Sequence, residues 1–404
     1  MKAVVYKGIG DISLTDVEDP KIQEPTDAII RIMASAICGT DLHMVRGSMG
    51  PMKQGIILGH EAVGIVEQVG KEVRNLKEGD RVVIPSTISC GYCSYCRAGY
   101  FSQCDNANPN GARAGTAFFG GPISSGSFNG LQAEKARIPY ANVGPVKIPD
   151  SVNDDQALLL SDIFPTGYFG AELAEITPGD TVAVFGCGPV GLFAIASAKL
   201  LGAGRILAVD SVPSRLELAR SQGAEIINFE QEDPVEVILQ LTGGIGVDRV
   251  IDAVGVDAER AHSGPAKDKS DTMAQQFKDQ LKQVAPEADL NARSWKPGDA
   301  PSQALIWELG AIDKAGTLAI IGVYPETFEF FPLGKAMSKN LTLKMGNCNH
   351  RRYIPHLLKL VASGVIDPLK LLTQVKPMSS VYEAYKEFDA RKEGWVKVEI
   401  VPGL

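Results

Sequence analysis

The sequence predicts an α/β protein of two domains: a compact, mostly β domain, then a parallel doubly wound sheet. Three observations carry this. The first 150 residues hold short β-like runs divided by Gly, Pro and Asp. From about residue 175, apolar runs of strand length alternate with runs of helix length. The 404 residues, 45% hydrophobic, are enough for two separate cores.

In the first part, DAIIRIMAS, AVGIVEQVG and GDRVVIP read as strands, the last two linked by KEVRNLKE. TVAVFG (181–186) is short enough for a buried strand, and PVGLFAIASAKLLGA has helical length and periodicity. RILAVD (205–210) is a strand again and RLELARSQGA a helix; DRVIDAVG (248–255), GTLAIIGV (316–323) and LTLKMG (341–346) continue the sheet. Residues 256–302 interrupt the alternation. They read as a polar insertion looping off the sheet, with one short helix near MAQQFKDQLKQV. After the helix-like PHLLKLVASG, the run VKVEIVP is a strand that can rejoin the β domain. The expected division is 1–160 with 346–404 against 161–345.

A formal charge of -8 repels polyphosphate backbones, so nucleic acid is not an expected partner. No stretch approaches the apolar length of a membrane span. The start, MKAVVYKGIGDISL, does not read as a secretion signal. The expectation is a cytoplasmic protein, in a compartment where structural disulfides are rare.

That setting matters for CGYCSYCRAGYFSQC, where Cys90, Cys93, Cys96 and Cys104 give C-x2-C-x2-C-x7-C. Gly91 and Gly99 let the backbone turn so that the sulfurs converge. The pattern suits a closed, structural Zn-S4 site. An iron-sulfur cluster, disulfides or free core thiols are the alternatives; bacterial ferredoxin runs end differently, in C-x3-C-P.

The run Gly186-Cys-Gly188-Pro189-Val190-Gly191 closes one strand and opens a helix, the context a dinucleotide-binding turn requires. Pro189 suits the helix's first turn. Asp210 ends the next strand, where a carboxylate accepts bonds from ribose hydroxyls and repels a 2'-phosphate, which points to NAD rather than NADP. A solvated strand-end Asp is the plainer reading. Arg215 either stacks on the adenine or is a surface charge of its helix.

Cys38 lies in ICGTDLH and His60 in GHEAVG, each beside Gly after a strand-like run, with Thr40, His43 and Glu61 close by. Singly, such residues are most often core residues. Together they form a typical partial ligand set for a catalytic zinc with one open position.

With C-G-T-x-x-H at 38–43, G-H-E at 59–61, the cysteines at 90–104 and GCGPVG at 186–191, the chain resembles the zinc-dependent medium-chain alcohol dehydrogenases. The resemblance implies a GroES-like β domain, a Rossmann domain and two zinc ions per chain. It implies that Cys38 and His60 bind the catalytic zinc and that Thr40 passes the substrate's hydroxyl proton toward His43 and solvent. Glu61 would then stand in or near the metal's outer shell. Many members place a Cys shortly before Thr-Gly-Tyr; here Thr166-Gly167-Tyr168 is in register and Asp162 falls at the ligand position. Carboxylate oxygen is a competent zinc ligand, and the plainer alternative is a helix N-cap.

An Asp in SDIFPTGY, with the insertion after DRVIDAVG, is similar to the glutathione-independent formaldehyde dehydrogenase branch. That likeness implies NAD contacts from Arg260 and His262, with spacing one residue longer here, and from Val254, Val323 and Gly346. The implied chemistry is oxidation of small alcohols or hydrated aldehydes by hydride transfer to NAD. With a retained cofactor, the same parts could dismutate an aldehyde. The rival readings are an ordinary alcohol or polyol dehydrogenase and a zinc- and NAD-binding interaction protein without turnover. A homo-oligomer, dimer or tetramer, is expected.

Overall fold

The computed structural model describes residues 1–289, 292 and 294–403. The chain forms two compact units. The first contains residues 1–165, 294–295 and 347–403; the second contains 166–292 and 296–346, less the residues outside the description.

The first unit is built on a seven-stranded sheet. Its order runs Gln374–Pro377, Val398–Val401, Ala28–Ile37, Ala62–Val69, Arg81–Ile84 and Val146–Lys147, with Lys135–Ile138 also paired to Ala28–Ile37. The strand Val398–Val401 pairs antiparallel with Ala28–Ile37, setting Val398 opposite Ile37. Alternation along these strands buries Ile30, Ile32, Val66, Val82 and Ile84 in one core, joined by Cys90, Cys96 and Cys104. A second core gathers Val4, Ile37, Tyr385, Phe388, Val398 and Ile400, with Trp295 of the insertion packed against it.

The second unit is a six-stranded parallel sheet. Its order is Glu225–Asn228, Arg205–Asp210, Thr181–Phe185, Val247–Asp252, Ile312–Ile320 and Thr342–Met345. This is the doubly wound topology, whose order reverses between Thr181–Phe185 and Val247–Asp252. Ala183, Phe185, Leu207, Val209, Val250 and Leu318 fill its core, each large side chain contributing about 1.5–3 kcal/mol by burial.

The insertion carries more structure than its polar composition suggests. It holds two helices, Lys267–Asp271 and Ala274–Val284, where the sequence led us to expect one. Phe277, Leu281 and Val284 share one face of the second helix and are buried. Trp295 departs from a simple surface loop. Its N–H donates to Asp389 Oδ2 at 2.7 Å, and Asp389 in turn holds the buried Arg46 guanidinium at 2.8 Å. Among the described residues, no helix is long and apolar enough to cross a membrane.

Candidate active site

Cys38, His60, Glu61 and Asp162 converge in the first unit. Each offers one ligand atom, and the four atoms lie within 4.8 Å of one another. Local structure explains how. Cys38 ends the strand Ala28–Ile37 and precedes the helix Gly39–Arg46; its N–H donates to Asp41 Oδ2 at 3.0 Å, closing the first turn. His60 and Glu61 lead into the strand Ala62–Val69, and Asp162 immediately precedes the helix Ile163–Leu173. All four are buried.

Asp162 divides its two oxygens. Oδ2 faces Cys38 Sγ at 3.6 Å and His60 Nε2 at 3.5 Å. Oδ1 accepts from Ser86 Oγ at 3.1 Å and meets His350 Nε2 at 2.6 Å. Burial works to raise this carboxyl, but His350 and His60 outweigh it and hold it well below the usual carboxylate range. Burial works to lower the His60 imidazole, yet Asp41 and Cys38 keep it well above its ordinary value. Burial pushes the Cys38 thiol up. Thiol, imidazole and carboxylate thus sit where a dication would displace protons, and that donor set suits zinc.

Supporting residues escaped the sequence reading: Ser86 and His350 at Asp162, Asp41 beside His60, and Lys397 at Glu61. Asp41 Oδ1 lies 3.2 Å from His60 Nδ1, where its negative charge favours the protonated ring and holds its orientation. Carboxylate–histidine pairs of this kind fix which ring nitrogen faces a metal. Asp41's position three residues after Cys38, the capping-box spacing, was the available signal. Lys397 bonds Glu61 Oε1 at 2.5 Å and Ile37 O at 3.0 Å, and both ionic side chains are fully buried. Burial pushes Glu61 up to about 7 against the pull of that ammonium. Glu61 Oε2 has no partner among the described residues.

Thr40 lies half-buried in the helix Gly39–Arg46, while His43 is only 4% exposed. His43 Nδ1 meets Ser48 Oγ at 2.8 Å, and Ser48 is itself buried. That nitrogen leads to Ser48. Phe118 stands edge-on to the His60 ring, 6.1 Å between centroids, as an apolar wall.

In the cysteine lobe all four thiols are free and their sulfurs lie within 4.8 Å of one another. Backbone amides point at them: Cys90 N–H to Cys104 Sγ at 3.2 Å, Cys93 N–H to Cys90 Sγ and Cys96 N–H to Cys93 Sγ at 3.4 Å. Burial opposes ionisation of Cys93, but donors including the amides of Cys96 and Asp105 bring it down to about 7. Gly91 stands at φ +81°, where a Cβ would come within 2.4 Å of Val143. The lobe fits a closed Zn-S4 centre.

The cofactor candidates gather in the second unit, after the C-terminal ends of its parallel strands. Gly186 follows Phe185, Asp210 ends its strand, and Val254, Val323 and Gly346 come after Val247–Asp252, Ile312–Ile320 and Thr342–Met345. Gly188 caps the helix that begins at Pro189 and Val190. A Cβ on Gly191 would stand 1.8 Å from Gly186 O, so the third glycine serves the turn itself. Asp210 is buried, not solvated; Oδ2 accepts from Cys187 N–H at 2.7 Å and Oδ1 from the amides of Ser211 and Val212. Arg215 lies half-buried in the following helix. Arg260 and His262 join a local ion cluster: Arg260 pairs with Asp271 and Asp299, and His262 Nε2 lies 3.4 Å from Asp299.

Residues 24–150 match the alcohol dehydrogenase GroES-like domain, and residues 189–263 the zinc-binding dehydrogenase family. A zinc-type alcohol dehydrogenase-like protein of Bacillus subtilis, itself uncharacterized, is 38% identical over all of both chains. A glutathione-independent formaldehyde dehydrogenase of Pseudomonas aeruginosa is 39% identical over 67% of this chain and 70% of its own. The solved alcohol dehydrogenase of Thermus sp. ATN1 superposes with a TM-score of 0.80 at 34% identity, covering 99% of each chain. The chain belongs to the zinc-type alcohol dehydrogenases, an oxidoreductase family.

Proposed function

We propose that this protein oxidises small alcohols or hydrated aldehydes, formaldehyde foremost, by hydride transfer to NAD. The observation that carries the reading is the Asp162 carboxylate beside Cys38 and His60, in a site with a second, sulfur-only centre elsewhere in the same unit. Cys38, His60 and Asp162 would hold the catalytic zinc, with Glu61 next to it, and Cys90, Cys93, Cys96 and Cys104 the structural one. Bound zinc supplies Lewis acidity that makes a hydroxyl acidic at neutral pH. Thr40 receives the hydroxyl proton, and His43 and Ser48 carry it away from the reacting carbon. Asp210, held by three amides, presents its carboxylate to ribose hydroxyls and repels a 2'-phosphate, selecting NAD.

The insertion supports retention of that cofactor. His262 and Ser263 N–H groups donate to Glu230, which follows the strand next to the one ending in Asp210. Its first residues are thus pinned beside the expected adenosine position. Retained NAD would supply a hydride acceptor and donor within one site, so that two aldehyde molecules taken in turn, the first as its hydrate, would leave as acid and alcohol with no net use of cofactor.

Purified protein should reduce NAD faster with formaldehyde than with ethanol or a polyol. Preference for ethanol or a polyol would select the ordinary alcohol or polyol dehydrogenase instead. Bound nucleotide after purification without added NAD, and acid plus alcohol from formaldehyde alone, would support dismutation. The edge strand Thr342–Met345 supports assembly into a dimer or tetramer, since Leu333, Met337 and Met345 around it are exposed. Light scattering reads that directly.

A further inference from the structure

We propose that His350 is the positioning residue of Asp162, and that the cysteine lobe sets its place through Ser102 and Asn349. The inference rests on the reading of Asp162 as a zinc ligand.

A carboxylate can offer a metal one oxygen or two. Here the choice is made in advance. His350 Nε2, at 2.6 Å, and Ser86 Oγ, at 3.1 Å, both engage Oδ1, leaving Oδ2 toward Cys38 and His60. The His350 ring is fixed from its other side, with Nδ1 3.2 Å from Thr87 Oγ1. It is only 4% exposed. His350 is therefore not placed as a further ligand; its nitrogens are spent on Asp162 and on the segment that carries Ser86 and Thr87.

What holds His350 lies elsewhere. It opens the helix His350–Ala362, and the preceding Asn349 does not cap that helix with its side chain. Asn349 Oδ1 instead accepts from Ser102 N–H and Ser102 Oγ, both at 3.0 Å, and Ser102 Oγ also reaches Asn347 O at 2.9 Å. Ser102 sits two residues before the lobe's last ligand, Cys104. A path of alternating backbone and hydrogen-bonded links thus runs from Cys104 along the chain to Ser102, by hydrogen bonds to Asn349, across one peptide bond to His350, and by its Nε2 contact to Asp162. Contiguity makes coupling available, and energetic measurement must demonstrate it. The arrangement gives the sulfur-only centre a task beyond stapling its lobe.

The test uses the full-length, zinc-loaded protein. Catalytic-site affinity is measured by chelator competition, with total zinc per chain as control for the lobe. Cobalt(II) in the catalytic position reports coordination through its visible spectrum. His350→Phe should weaken metal retention at that site by about 10–100-fold. It should also change the cobalt spectrum, because Asp162 is freed to turn both oxygens inward. His350→Gln, which keeps a donor, should restore most of both signals. Asn349→Ala should act in the same direction by a smaller factor and add nothing to His350→Phe. Affinity within about two-fold of wild type and an unchanged spectrum in a folded His350→Phe would overturn the proposal, on the scale such partners ordinarily show. If that variant does not fold, Ser86→Ala removes the second bond to the same oxygen, and a normal spectrum there overturns it equally. Asp162→Ala separates the two layers. If it keeps the catalytic metal, the ligand reading fails and the positioning role with it. If it loses the metal while His350→Phe does not, only the positioning role fails.

Discussion

The two metal sites of the first unit are built in opposite ways. The cysteine lobe draws four sulfurs from fifteen consecutive residues and quietens them with the amides of the same loop. The catalytic group draws its donors from three separated segments and then leans on Asp41, Ser86, His350 and Lys397. The first is a local fold of one loop that a metal would close; the second is a cavity that the whole unit must assemble. A local site should fail by unfolding its loop, and a distributed one by losing function while the fold stands.

The largest expected effects test that contrast directly. Cys38→Ser should abolish turnover and leave the thermal transition near wild type, whereas Cys93→Ser should damage folding or assembly. Active protein should contain two zinc ions per chain; elemental analysis returning one or none would break the comparison at its root. Next in size, Asp162→Ala should lose the catalytic zinc and retain NAD binding. Near-normal rates with both metals present would reduce Asp162 to a helix cap. Lys397→Met should then cost about 3–5 kcal/mol in urea unfolding if Glu61 stays charged, because a buried carboxylate loses the ammonium it is bonded to. A change below about 1 kcal/mol would mean that Glu61 simply takes up a proton once Lys397 is gone. The smallest effect belongs to the second unit. Asp210→Gly should weaken NAD binding and relax discrimination against NADP, read from kcat/KM with each cofactor. Wild-type protein that prefers NADP would refute the ribose assignment.

What could be read from the sequence follows the same division. The cysteine spacing and the glycine turn are short-range patterns, visible because every participant lies within one loop. Cys38 and His60 stood out through their neighbours, and Asp162 through its register with Thr166-Gly167-Tyr168. Lys397 and His350 carry no such mark: they stand 336 and 188 residues from the carboxylates they hold. Only the sheet, which sets Val398 opposite Ile37, brings Lys397 to Glu61. The insertion was legible only in part. Phe277, Leu281 and Val284 recur at helical spacing and mark the helix expected near MAQQFKDQLKQV, whereas Lys267–Asp271 is short and polar, with no apolar stripe to announce it.

The placement of Val398–Val401 inside the first unit's sheet also fixes an order of events at the ribosome. That strand lies between Gln374–Pro377 and Ala28–Ile37, so the sheet cannot close until the chain has been synthesised past residue 401. The parallel sheet needs nothing beyond Met345 for its strands and can complete itself earlier. During synthesis Lys135–Ile138 can cover Ala28–Arg31 early, but the end Ser35–Ile37 waits unpaired on that side while some 360 further residues emerge, about 20–70 seconds at ordinary elongation rates. An open edge held that long is a template for the wrong partner. Chaperone demand in the cell should accordingly track the first unit, and a circular permutant that supplies residues 374–401 ahead of residue 1 should lessen it.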